Sequence, residues 1–191
     1  MFKRIALSAL ILAAATAPAF AHLNPAEHGS FMAGVSHPLF GADHILAMVA
    51  VGIWASMIGG RAMLAVPAAF VATMGFGFAL ALSGVYLPFV EPAILASVVG
   101  LGLLVALAVK LPTPVSAAVV AVFALFHGYA HGTELGGAGA IRFGLGFMVG
   151  TALLHAAGLG IGMGLNRFGG TTLSRILGGA TALAGIAMMA A

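Results

Sequence analysis

The chain has 191 residues, of which 62% are hydrophobic and only 6% charged, with a mean hydropathy of +1.19 and a pI near 10.0. This composition excludes an ordinary soluble domain. The formal charge of +3 comes from seven basic against four acidic residues, with no basic stripe, so nucleic acid is excluded as a partner.

The 28 glycines are spread through apolar stretches, where they let membrane helices approach closely, and so do not argue for disorder. There is no cysteine, which excludes a disulfide framework, a thiolate zinc site and cysteine redox chemistry. Any metal must then be held by imidazole and oxygen, a ligand set that suits nickel, cobalt, zinc or copper(II) better than copper(I).

In chain order, residues 1–21 read as a cleaved signal peptide. Lys3 and Arg4 form its positive end, residues 5–17 its short apolar core, and Ala19-Phe20-Ala21 its cleavage site. Cleavage after Ala21 would leave His22 at the mature N-terminus, where amine and imidazole together make a chelating pair. The polar stretch 24–29 is a flexible lead-in. About 20 apolar residues cross the hydrocarbon core as a helix, and six such segments are predicted, at 38–58, 62–84, 91–109, 114–132, 142–165 and 172–190. The expected fold is an all-α membrane protein, a bundle of six transmembrane helices spanning residues 22–191.

Charge gives the orientation. With His22 outside, the inner loops carry Arg61, Lys110, Arg167 and Arg175 and the outer ones only Arg142, as the positive-inside rule requires. The expected location is the bacterial inner membrane, with a periplasmic mature N-terminus. The same topology puts His22, Glu27, His28, Glu91 and Glu134 at or beyond the outer boundary, with His37, Asp43, His44, His127 and His131 at outer helix ends. His155 lies deeper.

Ionisable groups within apolar segments are costly and mark ion or substrate paths. One cluster is His37-Pro38-Leu39-Phe40-Gly41-Ala42-Asp43-His44. In a continuous helix His37 and His44 would lie about 20° apart. Asp43 points about 100° away; it could bind metal, orient a neighbouring ring, cap a half-helix or pair with Arg142. The other cluster is Phe126-His127-Gly128-Tyr129-Ala130-His131-Gly132-Thr133-Glu134. His127, His131 and Glu134 fall within about 60° on one helix, and two imidazoles with a carboxylate suit a borderline divalent cation. Gly128 and Gly132 thin the helix so that another helix or a hydrated ion can come close. Glu91 is either an attractor of cations at the entrance or a solvated loop residue. His155 reads as a helix-to-helix hydrogen bond sooner than a ligand. Gly146-x-x-x-Gly150 and Gly160-x-x-x-Gly164 read as close-packing motifs.

The start His22-Leu23-Asn24-Pro25, the motif H-P-L-F-G-A-D-H at 37–44 and F-H-G-Y-A-H-G-T-E at 126–134 resemble the HupE/UreJ family of nickel and cobalt permeases over essentially the whole mature chain. By that resemblance residues 22–191 form a six-helix permease domain. Its metal-handling residues would be His37, Asp43, His44, His127, His131 and Glu134, with His22 and Glu91 as additional candidates.

The resemblance implies no permanent cofactor and no enzymatic activity, with Ni2+ or Co2+ as transported substrate. The expected partners are the metal ion and the lipid bilayer. A homo-oligomer and periplasmic or cytoplasmic metal-delivery proteins are compatible with this reading. The chain has no phosphate-binding loop and so cannot itself use ATP. Two alternatives are an intramembrane zinc-dependent hydrolase, with Glu134 as general base, and a metal-binding accessory subunit of a larger importer. A helical H-E-x-x-H is missing, which counts against the hydrolase.

Overall fold

The computed structural model describes residues 30–135 and 139–190; the expected signal peptide at residues 1–21, with His22, Glu27 and His28, lies outside the described residues. Among those described, all regular structure is helical. A short helix α1 (Phe31–Ser36) runs into a 3₁₀ turn (His37–Leu39), followed by α2 (Ala42–Ile58), α3 (Ala62–Leu82), α4 (Val90–Ala106) and α5 (Thr113–Leu135). The last helical stretch, Ala140–Met189, is broken at Gly170, whose φ of 61° and ψ of −159° are not helical. It therefore forms two rods, α6 (Ala140–Phe168) and α7 (Gly170–Met189).

Each of the six predicted segments corresponds to one of these long helices, but they are not equivalent. Four are long and apolar enough to cross a membrane: α3, α5, α6 and α7. The first predicted segment is not one straight rod. The piece Phe31–Leu39 meets Ala42–Ile58 at 84°, a broken span or a re-entrant arrangement. The cause is local: Pro38 sits in the 3₁₀ turn, and Gly41, in extended geometry, caps the start of α2. Helix α4 has 17 residues, roughly 25 Å at the helical rise, which falls short of the hydrocarbon thickness. Helix α1 lies within what the sequence presents as the run up to the first span; Ser30 caps it by accepting from the Ala33 N–H at 2.9 Å.

Small residues set the packing. Helices α3 and α5 run side by side in the same direction, with Gly128 against the Met74 carbonyl and Gly132 against that of Phe78. The glycines beside the second His cluster thus admit a helix, α3, into direct backbone contact. Gly146 and Gly150 face the Phe31 and Val35 carbonyls of α1, as a close-packing motif should. Gly160 and Gly164 do not: they face open space, and the glycines that touch α2 are Gly158 and Gly162. The four-residue spacing occurs twice, two positions apart, and only the bundle determines which stripe is inside.

Both ends of the bundle are tied. Trp54, fully buried, donates from Nε1 to the Val109 carbonyl at 2.8 Å, and Arg175 Nε donates to the Ala106 carbonyl at 2.8 Å. These bonds gather the ends of α2, α4 and α7 that carry the basic loops. At the opposite end, Tyr129 donates to the Val85 carbonyl and accepts from the Leu87 N–H, fixing α5 to the α3–α4 loop.

Candidate functional site

The break before α2 decides what the first motif can do. His37 lies in the 3₁₀ turn and His44 in the first turn of α2, so the two rings approach from different elements and not from one helical face. Helix α5 supplies His127 and His131, one helical turn apart. The four rings join end to end. His37 Nε2 is 2.8 Å from His131 Nδ1, His131 Nε2 is 3.0 Å from His44 Nε2, and His44 Nε2 is 3.1 Å from His127 Nδ1. His44, His127 and His131 are buried, at 4%, 0% and 8% exposure. The aromatic wall behind them is Phe147, whose ring centroid is 4.5 Å from that of His131 and 5.8 Å from that of His44.

The far end of this chain is anchored by a residue that the sequence reading passes over. Ser97 of α4 lies 2.8 Å from His127 Nε2 and donates its hydroxyl hydrogen to the Ile94 carbonyl at 2.6 Å. A serine has one such hydrogen, so toward His127 it accepts. In the neutral imidazole the proton is therefore on Nε2, and the lone pair of Nδ1 is aimed at His44. A lone Ser in the apolar stretch that follows Glu91 in α4 was the available signal; its partner, 30 residues away, was not readable.

Asp43 is oriented by its own helix. Its Oδ1 accepts from the His44 backbone N–H at 2.8 Å and lies 3.7 Å from His44 Nδ1. A carboxylate in the first turn favours the helix N-terminus, and the same oxygen sits beside the ring that joins the two halves of the His chain. Among the described residues, Asp43 forms no ion pair with Arg142.

Glu91 lies in the first turn of α4, exposed. It lines a cavity of about 260 Å³ together with His37, Asp43, His44 and His131. The structure thus places Glu91 with the first motif at a common opening, and His127 one ring further in. Glu134 is in the last turn of α5; its side chain, like His22, falls outside what is described. Among the described residues, no group of three or more His, Asp and Glu side chains forms a ready-made metal centre; the imidazoles hold one another.

His155, on α6, is 1% exposed. The expected helix-to-helix hydrogen bond does not form: neither Nδ1 nor Nε2 has a partner. The surrounding wall is apolar, and its closest ring is Phe70, with centroids 5.0 Å apart at 80°.

No solved structure matches the chain. It is 50% identical over 182 residues to Protein HupE of Rhizobium leguminosarum bv. viciae, an alignment covering 93% of this chain and 94% of that protein. The family described as HupE / UreJ protein matches residues 10–188. With both His motifs inside that match, in a helical bundle with membrane-length rods, the chain belongs to the HupE/UreJ family.

Proposed function

We propose that this protein is a permease that imports Ni2+ or Co2+ across the bacterial inner membrane, with its N-terminus on the periplasmic side. The observation that carries this reading is the chain of four imidazoles at the foot of a cavity bearing Asp43 and Glu91. Membership of a family related to nickel and cobalt transport supports it independently. The acids concentrate a cation at the opening, and the rings then replace part of its hydration shell.

The spacing suits this exchange. Imidazole nitrogens lie about 2.0–2.1 Å from a bound divalent metal, so two at right angles are separated by about 3 Å. The His131–His44 and His44–His127 nitrogen separations are 3.0 and 3.1 Å. A cation seated at His44 takes the place of the hydrogen through which these rings now hold one another. Its ligands are drawn from His37, His44, His127 and His131, with Asp43 and Glu134 as carboxylates and His22 and Glu91 nearer the periplasm.

Capture must be reversible for transport to proceed. The membrane potential suffices as a driving force, since a divalent cation crossing 100 mV gains about 4.6 kcal/mol. No resident cofactor is needed, and the protein carries out no covalent chemistry. Its partners are the metal ion and the bilayer, and a homo-oligomer or metal-delivery proteins on either side fit the same scheme.

The test is metal accumulation in cells expressing the chain or His131→Ala, with nickel and cobalt supplied separately at low concentration. Uptake that is lost in the variant at equal membrane levels supports the permease and names its metal. Absence of uptake by correctly inserted protein, with metal still bound, would sink the permease and leave an accessory subunit.

A further inference from the structure

A buried imidazole with no partner for either nitrogen requires an explanation. One N–H and one lone pair have been taken out of water without replacement, at a cost of about 1–3 kcal/mol for a single unsatisfied group. Buried polar side chains are otherwise almost always paired. Leucine would fill a comparable volume without that cost, so packing alone does not account for a histidine at position 155.

Its surroundings suggest what the ring serves. Phe70 of α3 is fully buried. It stands edge-on to His155 at 5.0 Å and also contacts His127, with centroids 5.8 Å apart at 53°. A single phenyl ring therefore touches both His127, the innermost member of the outer chain, and His155. Depth agrees: the backbone of His155 faces Gly52 of α2, eight residues or roughly 12 Å inward of His44 along that helix.

His155 also lines the floor of an open apolar groove of about 330 Å³ between α3 and α6, with Met63, the exposed Leu64 and Pro67 of α3 among its neighbours. Pro67 has no N–H to give to the Met63 carbonyl, so α3 lacks one helical hydrogen bond next to this space and is a place where a helix yields.

We propose that His155 is a second, inward ligand on the cation path and that Phe70 is the barrier between it and the outer imidazoles. Displacement of the Phe70 ring brings the His155 lone pair within reach of a cation leaving His127. The step exchanges one imidazole ligand for another, with no change of oxidation state. This assignment rests on the transport reading above and adds the inner half of the route.

The experiment uses the full chain, purified and reconstituted into liposomes, with initial flux measured against external Ni2+ and, separately, Co2+. His155→Leu should lower maximal flux at least about tenfold while the half-saturating concentration stays within about twofold, because capture occurs outside the barrier. Phe70→Ala should raise maximal flux, and the gain should vanish in the Phe70→Ala, His155→Leu double variant. If His155→Leu does not insert, His155→Gln should give the same split, since an amide is a poor substitute for imidazole toward these metals.

Wild-type flux in the His155 variants would overturn the inner ligand and leave the permease standing. Flux lost together with external capture would also overturn it, by making His155 part of the outer site or of the fold. A wild type that neither binds nor moves either metal would remove the transport reading and this proposal with it.

Discussion

The outer and inner histidines solve the same problem in opposite ways. His37, His131, His44 and His127 are drawn from three elements and satisfy one another ring to ring, with Ser97 closing the inner end. His155, just over two turns of α2 further in, satisfies nothing and is satisfied by nothing. The first group can wait without a cation at little cost, because each ring has a neighbour. The second is held in place by apolar packing alone and gains a polar partner only if something arrives. In a low-dielectric interior this contrast matters, since the same dielectric strengthens a satisfied polar network and penalises an unpaired group.

The comparison can be broken most sharply at His44, the ring shared by both halves of the outer chain. His44→Ala should reduce uptake to background, measured as cellular nickel or cobalt at equal membrane levels. Substantial residual uptake would mean that the chain of rings is a packing device. Next in size is the split expected for His155→Leu in liposomes, where turnover falls and capture does not.

Ser97→Ala sharpens the outer half. Without the acceptor that keeps the proton on His127 Nε2, metal affinity should fall about tenfold, as for other residues that orient a ligand. Ser97→Thr, which keeps the hydroxyl, should restore most of it. Equilibrium binding to purified protein checks both.

The pH dependence is a smaller effect with a definite sign. Imidazole binds metal only when unprotonated, so protons compete with the cation, and uptake should weaken as the external pH falls through about 6–6.5. Uptake that is flat across this range would argue against imidazole as the first ligand.

The smallest effect expected of a site residue is that of Glu91→Gln, which removes charge from the cavity mouth. It should raise the half-saturating concentration a few-fold, chiefly at low ionic strength, without changing maximal flux. Gly128→Ala separates site from scaffold. A methyl group there meets the Met74 carbonyl, and overpacking of this kind costs about 1–3 kcal/mol. The amount of folded protein in thermal unfolding should fall, with the transport of what remains little changed.

The sequence by itself determined the class of molecule, because a chain with so little charge and so much apolar length has few ways to satisfy its backbone other than by membrane helices. It also located every long helix among the described residues to within a few residues and singled out both His motifs, since ionisable groups stand out against an apolar background. Periodicity on one helix was legible for His127 and His131, which do face the same way.

What only the tertiary structure decided depends on contacts between segments far apart in sequence. The 84° bend between Phe31–Leu39 and Ala42–Ile58 takes His37 off the face of His44 and returns it through His131. The choice of Gly158 and Gly162 over Gly160 and Gly164 depends on which side α2 occupies. The partnership of Ser97 with His127, and the absence of any partner for His155, could not be read from spacing. A helical repeat fixes where a side chain points around its own axis, whereas a hydrogen bond across the bundle depends on which helix stands opposite.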